Sequence, residues 1–324
     1  MTDERQRLVR RRPALEARAR VRSALRRWFE AEGFLEVETP ARVRSPGQEV
    51  HLDAIGSVDR WLVTSPEYAM KRLCGAGYER IVSIGKCWRA DERGPHHEPE
   101  FTMLEWYRAN APLARIAEDC ETLVRLAATA AREDGAGQGA FDAPFARVTV
   151  RDLLQRFAGV ALTGDESAEA LAEKARDAGS DLRGAIDWDD VFFQLWLDRV
   201  EPRLPDLGPV FVFDWPAPLG ALARRRADDP RFVERFELYA GGIELANAFG
   251  ELTDADEQRA RFVAEAEARR VRGKAVYPLD EALLAALPAM PPTAGVALGF
   301  DRLVMLVLGA ASIRDVTAFA DDEL

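Results

Sequence analysis

Glu237 and Glu244 stand seven residues apart, with Gly241 and Gly242 between them. The glycine pair predicts a tight turn joining two strands, which would bring both carboxylates to one side. Two such carboxylates suit Mg²⁺, whose sites commonly combine one or two of them with substrate phosphates. Solvated carboxylates are the plainer alternative. Two arginines, Arg89 and Arg302, offer the matching cations. A guanidinium fork fits two phosphate oxygens better than an ammonium does. On residue type alone, Arg302 fits a surface helix equally well.

The elements that must position these residues are legible from periodicity and breakers. Pro13 to Ala31 reads as an amphipathic helix with Val21, Leu25, Trp28 and Phe29 on one face, and Gly33 as its C-cap. Short strands are predicted at Leu35 to Val37 and Arg60 to Thr64, with a helix from Pro66 to Leu73. Arg80 to Trp88 and Phe101 to Arg108 read as strands flanking a polar loop that follows Arg89, and Ala114 to Arg132 as a long helix. Asp134 to Gly139 reads as a flexible connector, and 140–230 as a more helical stretch containing a buried strand at Val210 to Phe213. Strands at Phe232 to Tyr239 and Ile243 to Phe249 carry the two glutamates. Helices at Asp254 to Arg272 and Leu279 to Leu287 follow, then a strand at Val296 to Leu298 and a helix at Phe300 to Leu308 that carries Arg302. Strands without regular βαβ alternation predict an α+β fold built on a mainly antiparallel sheet.

Three segments, in this order, resemble motifs 1, 2 and 3 of the class II aminoacyl-tRNA synthetases: Gly33 to Pro40, Cys87 to Phe101, and Gly295 to Arg302. The resemblance implies one catalytic domain over 1–324. Motif 1 would lie at about 21–40, motif 2 at about 80–108, a variable helical segment at about 134–230, a substrate and metal segment at about 231–254, and motif 3 at about 293–310. It further implies a six- or seven-stranded antiparallel sheet flanked by helices, and ATP as substrate. Activation of a carboxylate by ATP needs fixed cations on the phosphates. By resemblance Arg89 holds the α-phosphate and the substrate carboxylate, and Arg302 holds the γ-phosphate. Phe101 stacks on adenine, and Gly299 lets the nucleotide approach the backbone. Asp91, Glu98, Glu244 and Leu245 complete the implied ATP contacts. Asp91 and Glu98 depart from the usual motif 2 residues, which bears on the adenine side and not on the phosphates.

The segment Gly241 to Asp254, containing Gly-Ile-Glu-Leu-Ala-Asn, resembles the lysine-specific branch. A lysine-type substrate carries two ammonium groups, and each needs a partner if buried. By resemblance Ser65 and Glu67 meet the ammonium near the carboxylate. Glu251 and Tyr107 meet the distal one, and Asn247 also lines the site. Ala297 stands where lysyl-tRNA synthetases usually carry glycine. Its methyl is expected to favour an amino group on the β carbon, as in the short ligases that attach (R)-β-lysine to elongation factor P. The alternatives are core packing for Tyr107, Phe101 and Ala297, and a surface position for Glu251. The segment before motif 1 is expected to be too short for an anticodon-binding domain, so tRNA is not the expected acceptor. Homodimerisation through the Val21 to Phe29 face is expected.

Composition narrows the classes further. The chain has 324 residues, 48% hydrophobic, enough for a packed core. Its net charge of −11 argues against a protein that coats nucleic acid. Cys74, Cys87 and Cys120 have neither metal nor disulfide spacing, and a cytosolic setting is expected. No apolar run approaches the ~18 residues that span a bilayer. The arginines from Arg5 to Arg12 read as a solvated stretch entering the first helix, or as a face for an acidic partner; Asp321 to Leu324 reads as a frayed tail. Other readings of the whole are a tRNA-charging lysyl enzyme, a small-molecule ligase of the asparagine-synthetase type, and a non-catalytic relative.

Overall fold

A computed structural model describes residues 2–132, 141–185 and 187–323, and the expected connector at 134–139 lies outside them. The principal elements are α1 (Thr2–Ala31), β1 (Leu35–Glu36), β2 (Arg42–Val43), β3 (Gly56–Ser57), β4 (Arg60–Leu62), α2 (Glu67–Gly75), β5 (Arg80–Trp88), β6 (Glu100–Ala109) and α3 (Leu113–Arg132). They continue with β7 (Ala146–Thr149), α4 (Val150–Leu153), α5 (Ala168–Asp177), α6 (Trp188–Leu195), β8 (Val210–Pro216), β9 (Phe232–Ala240) and β10 (Ile243–Gly250). Last come α7 (Ala255–Val271), α8 (Glu281–Ala286), β11 (Thr293–Gly299) and α9 (Phe300–Leu308). The chain divides into two compact units, Met1–Ala143 with Thr253–Leu324, and Pro144–Leu252.

In the first unit β5 and β6 form an antiparallel hairpin, and β11 pairs antiparallel with β6. β1 pairs parallel with β5. In the second unit β10, β9 and β8 are antiparallel and β7 pairs parallel with β8. The expected six or seven antiparallel strands are therefore corrected to four in each unit, with one parallel pair in each. Parallel neighbours need a long crossover. The chain supplies one through α2 between β1 and β5, and another through α4 to α6 between β7 and β8. The α+β class stands.

Strand alternation splits each sheet into two faces. On the even face of the first unit, α1, α3 and α9 pack together. Val21, Leu25 and Phe29 are at most 2% exposed, and the Phe29 ring lies 5.5 Å from that of Trp106. Arg108 closes this core, with Asp119 at 2.6 Å and the Phe34 ring at 4.5 Å. The helix face expected to meet a second copy is thus largely spent inside the unit.

α1 starts at Thr2 and runs through Pro13, well before the expected boundary. Its arginine-rich half is not simply solvated: Arg11 grips Glu323 at 2.6 Å and Arg7 reaches the same carboxylate at 3.2 Å. Asp321, Asp322 and Glu323 are each held by an ion pair. Asp321 pairs with Arg93, and Asp322 with Arg314 at 2.9 Å. Among the described residues, no helix is long and apolar enough to cross a membrane.

Candidate active site

The odd face of the first unit is floored by small residues. Ser83 and Gly85 on β5 and Gly295, Ala297 and Gly299 on β11 flank Met103, Glu105 and Tyr107 of β6 in register. This leaves room above the middle of the sheet, and Glu105 occupies that middle. Glu105 is 1% exposed, and its two oxygens each accept a hydroxyl: Ser65 Oγ at 2.7 Å and Tyr107 Oη at 2.7 Å. Ser65 in turn accepts the Glu67 backbone N–H at 3.1 Å, which fixes the start of α2. Glu67 reaches Lys71, one turn along the same helix, at 2.6 Å. Ser65 and Tyr107 are therefore tied through Glu105, and Ser65 holds the Glu67 backbone, whereas the resemblance grouped Tyr107 with Glu251.

Arg89 follows β5, and its backbone N–H donates to Pro99 O at 2.9 Å. That bond continues the hairpin and sets the guanidinium 5.1 Å from the centre of the Phe101 ring. Glu92 lies 3.5 Å away. Arg302 sits in the first turn of α9, where its Nε donates to His96 O at 3.2 Å and its Nη2 meets His97 Nε2. A Cβ at Gly299 would make only ordinary contact with the Arg302 side chain, at 3.4 Å from Cδ. The neighbouring Asp301 anchors the helix start. It accepts the Thr102 N–H at 2.6 Å and pairs with Arg18 at 2.5 Å.

The two unusual motif 2 residues have separate uses. Asp91 is exposed with φ of 62°, a left-handed conformation that aspartate tolerates better than most residues. Glu98 is 6% exposed; it accepts Arg314 Nε and the Asp321 N–H, each at 2.9 Å. Its carboxylate is thereby held by the C-terminal segment.

In the second unit Gly241 and Gly242, at φ of 60° and 77°, make the expected tight turn. The register slips between Glu244 and Ala246, leaving Leu245 as the extra residue of a bulge. The bulge lets Glu244 and Asn247, three positions apart, share one side: Glu244 lies opposite Tyr239, and Asn247 opposite Glu237. Leu245 is 2% exposed, in the core. Glu237 accepts Arg235 Nη2 at 2.6 Å and the Tyr239 hydroxyl at 2.5 Å. Burial foremost raises its pKa, and the like charge of Glu244 adds to the rise, against the pull of Arg235. A buried and a half-buried carboxylate that repel each other fit a divalent cation that fills its shell with phosphate and water. Among the described residues no group of three or more acidic, cysteine or histidine side chains is placed to hold a metal ion. Glu251 is 1% exposed, against the surface alternative, and its backbone bridges to Ala223.

A family model described as tRNA synthetases class II (D, K and N) matches residues 5–323. The chain belongs to this family. A protein of Erwinia tasmaniensis named elongation factor P–(R)-β-lysine ligase is 39% identical over 318 residues, covering 94% of each chain. Relatives of the same name from Salmonella dublin and Salmonella typhimurium are 37% identical over 323 residues, covering 96% of this chain and 95% of their own.

Within this class II unit, two acidic residues escaped the sequence reading. Glu105 lies inside the Phe101 to Tyr107 run, and strand alternation alone puts it on the Phe101 and Tyr107 face. Glu49 has no such signal, because it belongs to an irregular loop. Burial, and after it the charge of Glu67, pushes the Glu49 carboxyl up to about 7. Burial also pushes the Cys87 thiol up to about 12, which leaves it unionised and no nucleophile at neutral pH.

Proposed function

We propose that this chain activates (R)-β-lysine with ATP and passes the β-lysyl group to the ε-amine of a lysine on elongation factor P. The observation that carries this reading is the match to ligases of that name over nearly the full length of both chains. In the first step a substrate carboxylate oxygen attacks the α-phosphorus and pyrophosphate leaves. Arg89 is suited to hold both reacting partners, since its fork takes two oxygens and Phe101 backs it. Arg302 would take the terminal phosphate from the start of α9. Glu67 and Ser65 orient the ammonium near the carboxylate, and Glu251 in the second unit is assigned to the distal ammonium. Mg²⁺, if held by Glu237 and Glu244, would neutralise phosphate charge.

In the second step the acceptor amine attacks the acyl carbon and AMP leaves. With Cys87 protonated, direct transfer from the adenylate needs no covalent enzyme intermediate. A cytosolic setting agrees with the buried free thiols of Cys74, Cys87 and Cys120. Pyrophosphate exchange with a panel of lysine isomers, followed by labelling of elongation factor P or lysine tRNA, tests the whole reading. Exchange should favour (R)-β-lysine, and label should enter elongation factor P. Label in tRNA alone would reject the acceptor.

A further inference from the structure

The loop between β2 and β3 carries a carboxylate that the steps above do not use. Its main chain is pinned at several points. Gly47 N–H donates to Thr64 Oγ1 at 3.3 Å, Gln48 N–H to the Tyr68 hydroxyl at 3.2 Å, and Val50 N–H to Glu265 Oε2 at 2.9 Å. The fully buried Arg269 donates to the carbonyls of Glu49 and Leu52, each at 2.8 Å. So held, Glu49 folds its side chain back over Gly47. A Cβ built at Gly47 would lie 2.1 Å from Glu49 Oε2 and 3.2 Å from Thr64 Oγ1. The carboxylate and the Thr64 hydroxyl therefore both border Gly47, which places Glu49 near the start of the Thr64 to Glu67 segment. Glu49 Oε2 is shielded from solvent and accepts no hydrogen bond from a described residue.

The charges around it point to its partner. Glu67, Arg89 and Glu265 act on Glu49, and the Tyr68 hydroxyl also lies within its field. Glu67 is already paired with Lys71. Arg269 is occupied by carbonyls and by Asp53 at 2.6 Å. The oxygens of Glu105 are taken by hydroxyls. Arg89, once it holds the substrate carboxylate, has its charge balanced. A bound ammonium beside that carboxylate would still need an anion, and Glu49 is a shielded one with an acceptor oxygen to spare. An ammonium donates three hydrogen bonds, more than Glu67 alone would satisfy while it holds Lys71.

We propose that Glu49 is a specificity-determining residue of the amino-acid site, sharing with Glu67 the ammonium nearest the substrate carboxylate. The proposal rests on the function proposed above. It carries a pH signature. With its carboxyl raised from the ordinary value of 4.5 to about 7, Glu49 in the substrate-free enzyme is largely protonated below that pH, and binding an ammonium must expel the proton. KM for (R)-β-lysine should therefore fall about tenfold from pH 6 to pH 8, as the protonated fraction disappears.

The test is pyrophosphate exchange by the full-length enzyme across that range. In Glu49→Gln, KM for (R)-β-lysine should rise roughly 30-fold or more at pH 8, and its fall with pH should vanish. KM for ATP should hold. Gly47→Ala keeps the carboxylate but displaces it, and should raise the same KM; it carries the test if Glu49→Gln does not fold. Should whichever variant folds keep the wild-type KM and pH profile, Glu49 has no such role. A wild-type enzyme that exchanges pyrophosphate with no lysine isomer overturns the functional reading and this inference with it.

Discussion

Glu251 is the residue that the proposed function assigns to the distal ammonium of the substrate. It is 1% exposed, and a buried carboxylate suits a cationic substrate group. A lysine-type distal ammonium is the cation proposed here. Glu251→Gln should then cripple use of (R)-β-lysine and spare ATP binding. Removing one partner of such a pair costs about 2–5 kcal/mol, so KM should rise roughly 30- to 5,000-fold. A rise of under about twofold would strip Glu251 of the role. Ala297 is a subtler case. It lies opposite Glu105 in register, yet it also packs against the cluster of Val63, Cys87 and Met103. If its methyl limits the space beside the substrate amine, Ala297→Gly should raise kcat/KM for α-lysine roughly 10- to 200-fold. A lower melting temperature with an unchanged isomer ratio would make Ala297 a packing residue.

Elements were legible where local chemistry fixes them. β5 and α9 fall at the residues the sequence indicates, because glycine and alternation mark their limits. The turn at Gly241 and Gly242 was equally plain. The bulge after Glu244 was not: a register slip depends on the opposite strand, which carries no mark of it in sequence. Ion pairs between distant segments are illegible for the same reason, and they overturn the expected frayed tail. Arg11 foremost, then the Ala320 backbone N–H and the charge of Arg7, hold the Glu323 carboxyl down to about 2. Its folded pKa is below the ordinary value of 4.5, so the contribution to stability is complete above that pH and is lost as pH falls towards 2. Glu323→Gln should lower Tm by a constant amount from pH 5 to pH 7. The gap between wild type and variant should close below pH about 4.5. Scanning calorimetry over that range checks it, and a gap that does not change with pH would show that the tail is held by other contacts.

For the whole molecule, the corrected α1 changes where a second copy can bind. Val21, Leu25 and Phe29 are consumed by the first unit's own core, so a homodimer needs another surface. The N-terminal half of α1 offers one. Leu8, Val9, Leu15 and Ala19 line an apolar groove along it, rimmed by Glu4 and Glu16 and by Arg5 and Arg12. Val9 is 63% exposed, a costly position for an aliphatic side chain that nothing covers. A two-fold axis places the same patch on both partners, and a rim carrying both signs can meet itself without net repulsion. Light scattering at micromolar concentration should therefore give twice the 36.0 kDa chain mass. Leu8→Glu with Val9→Glu should return a single chain mass with unchanged circular dichroism, because the Leu8 and Val9 side chains are not among the buried core. A wild-type mass of one chain would remove the dimer; a variant that stays at twice that mass would move the interface off this groove.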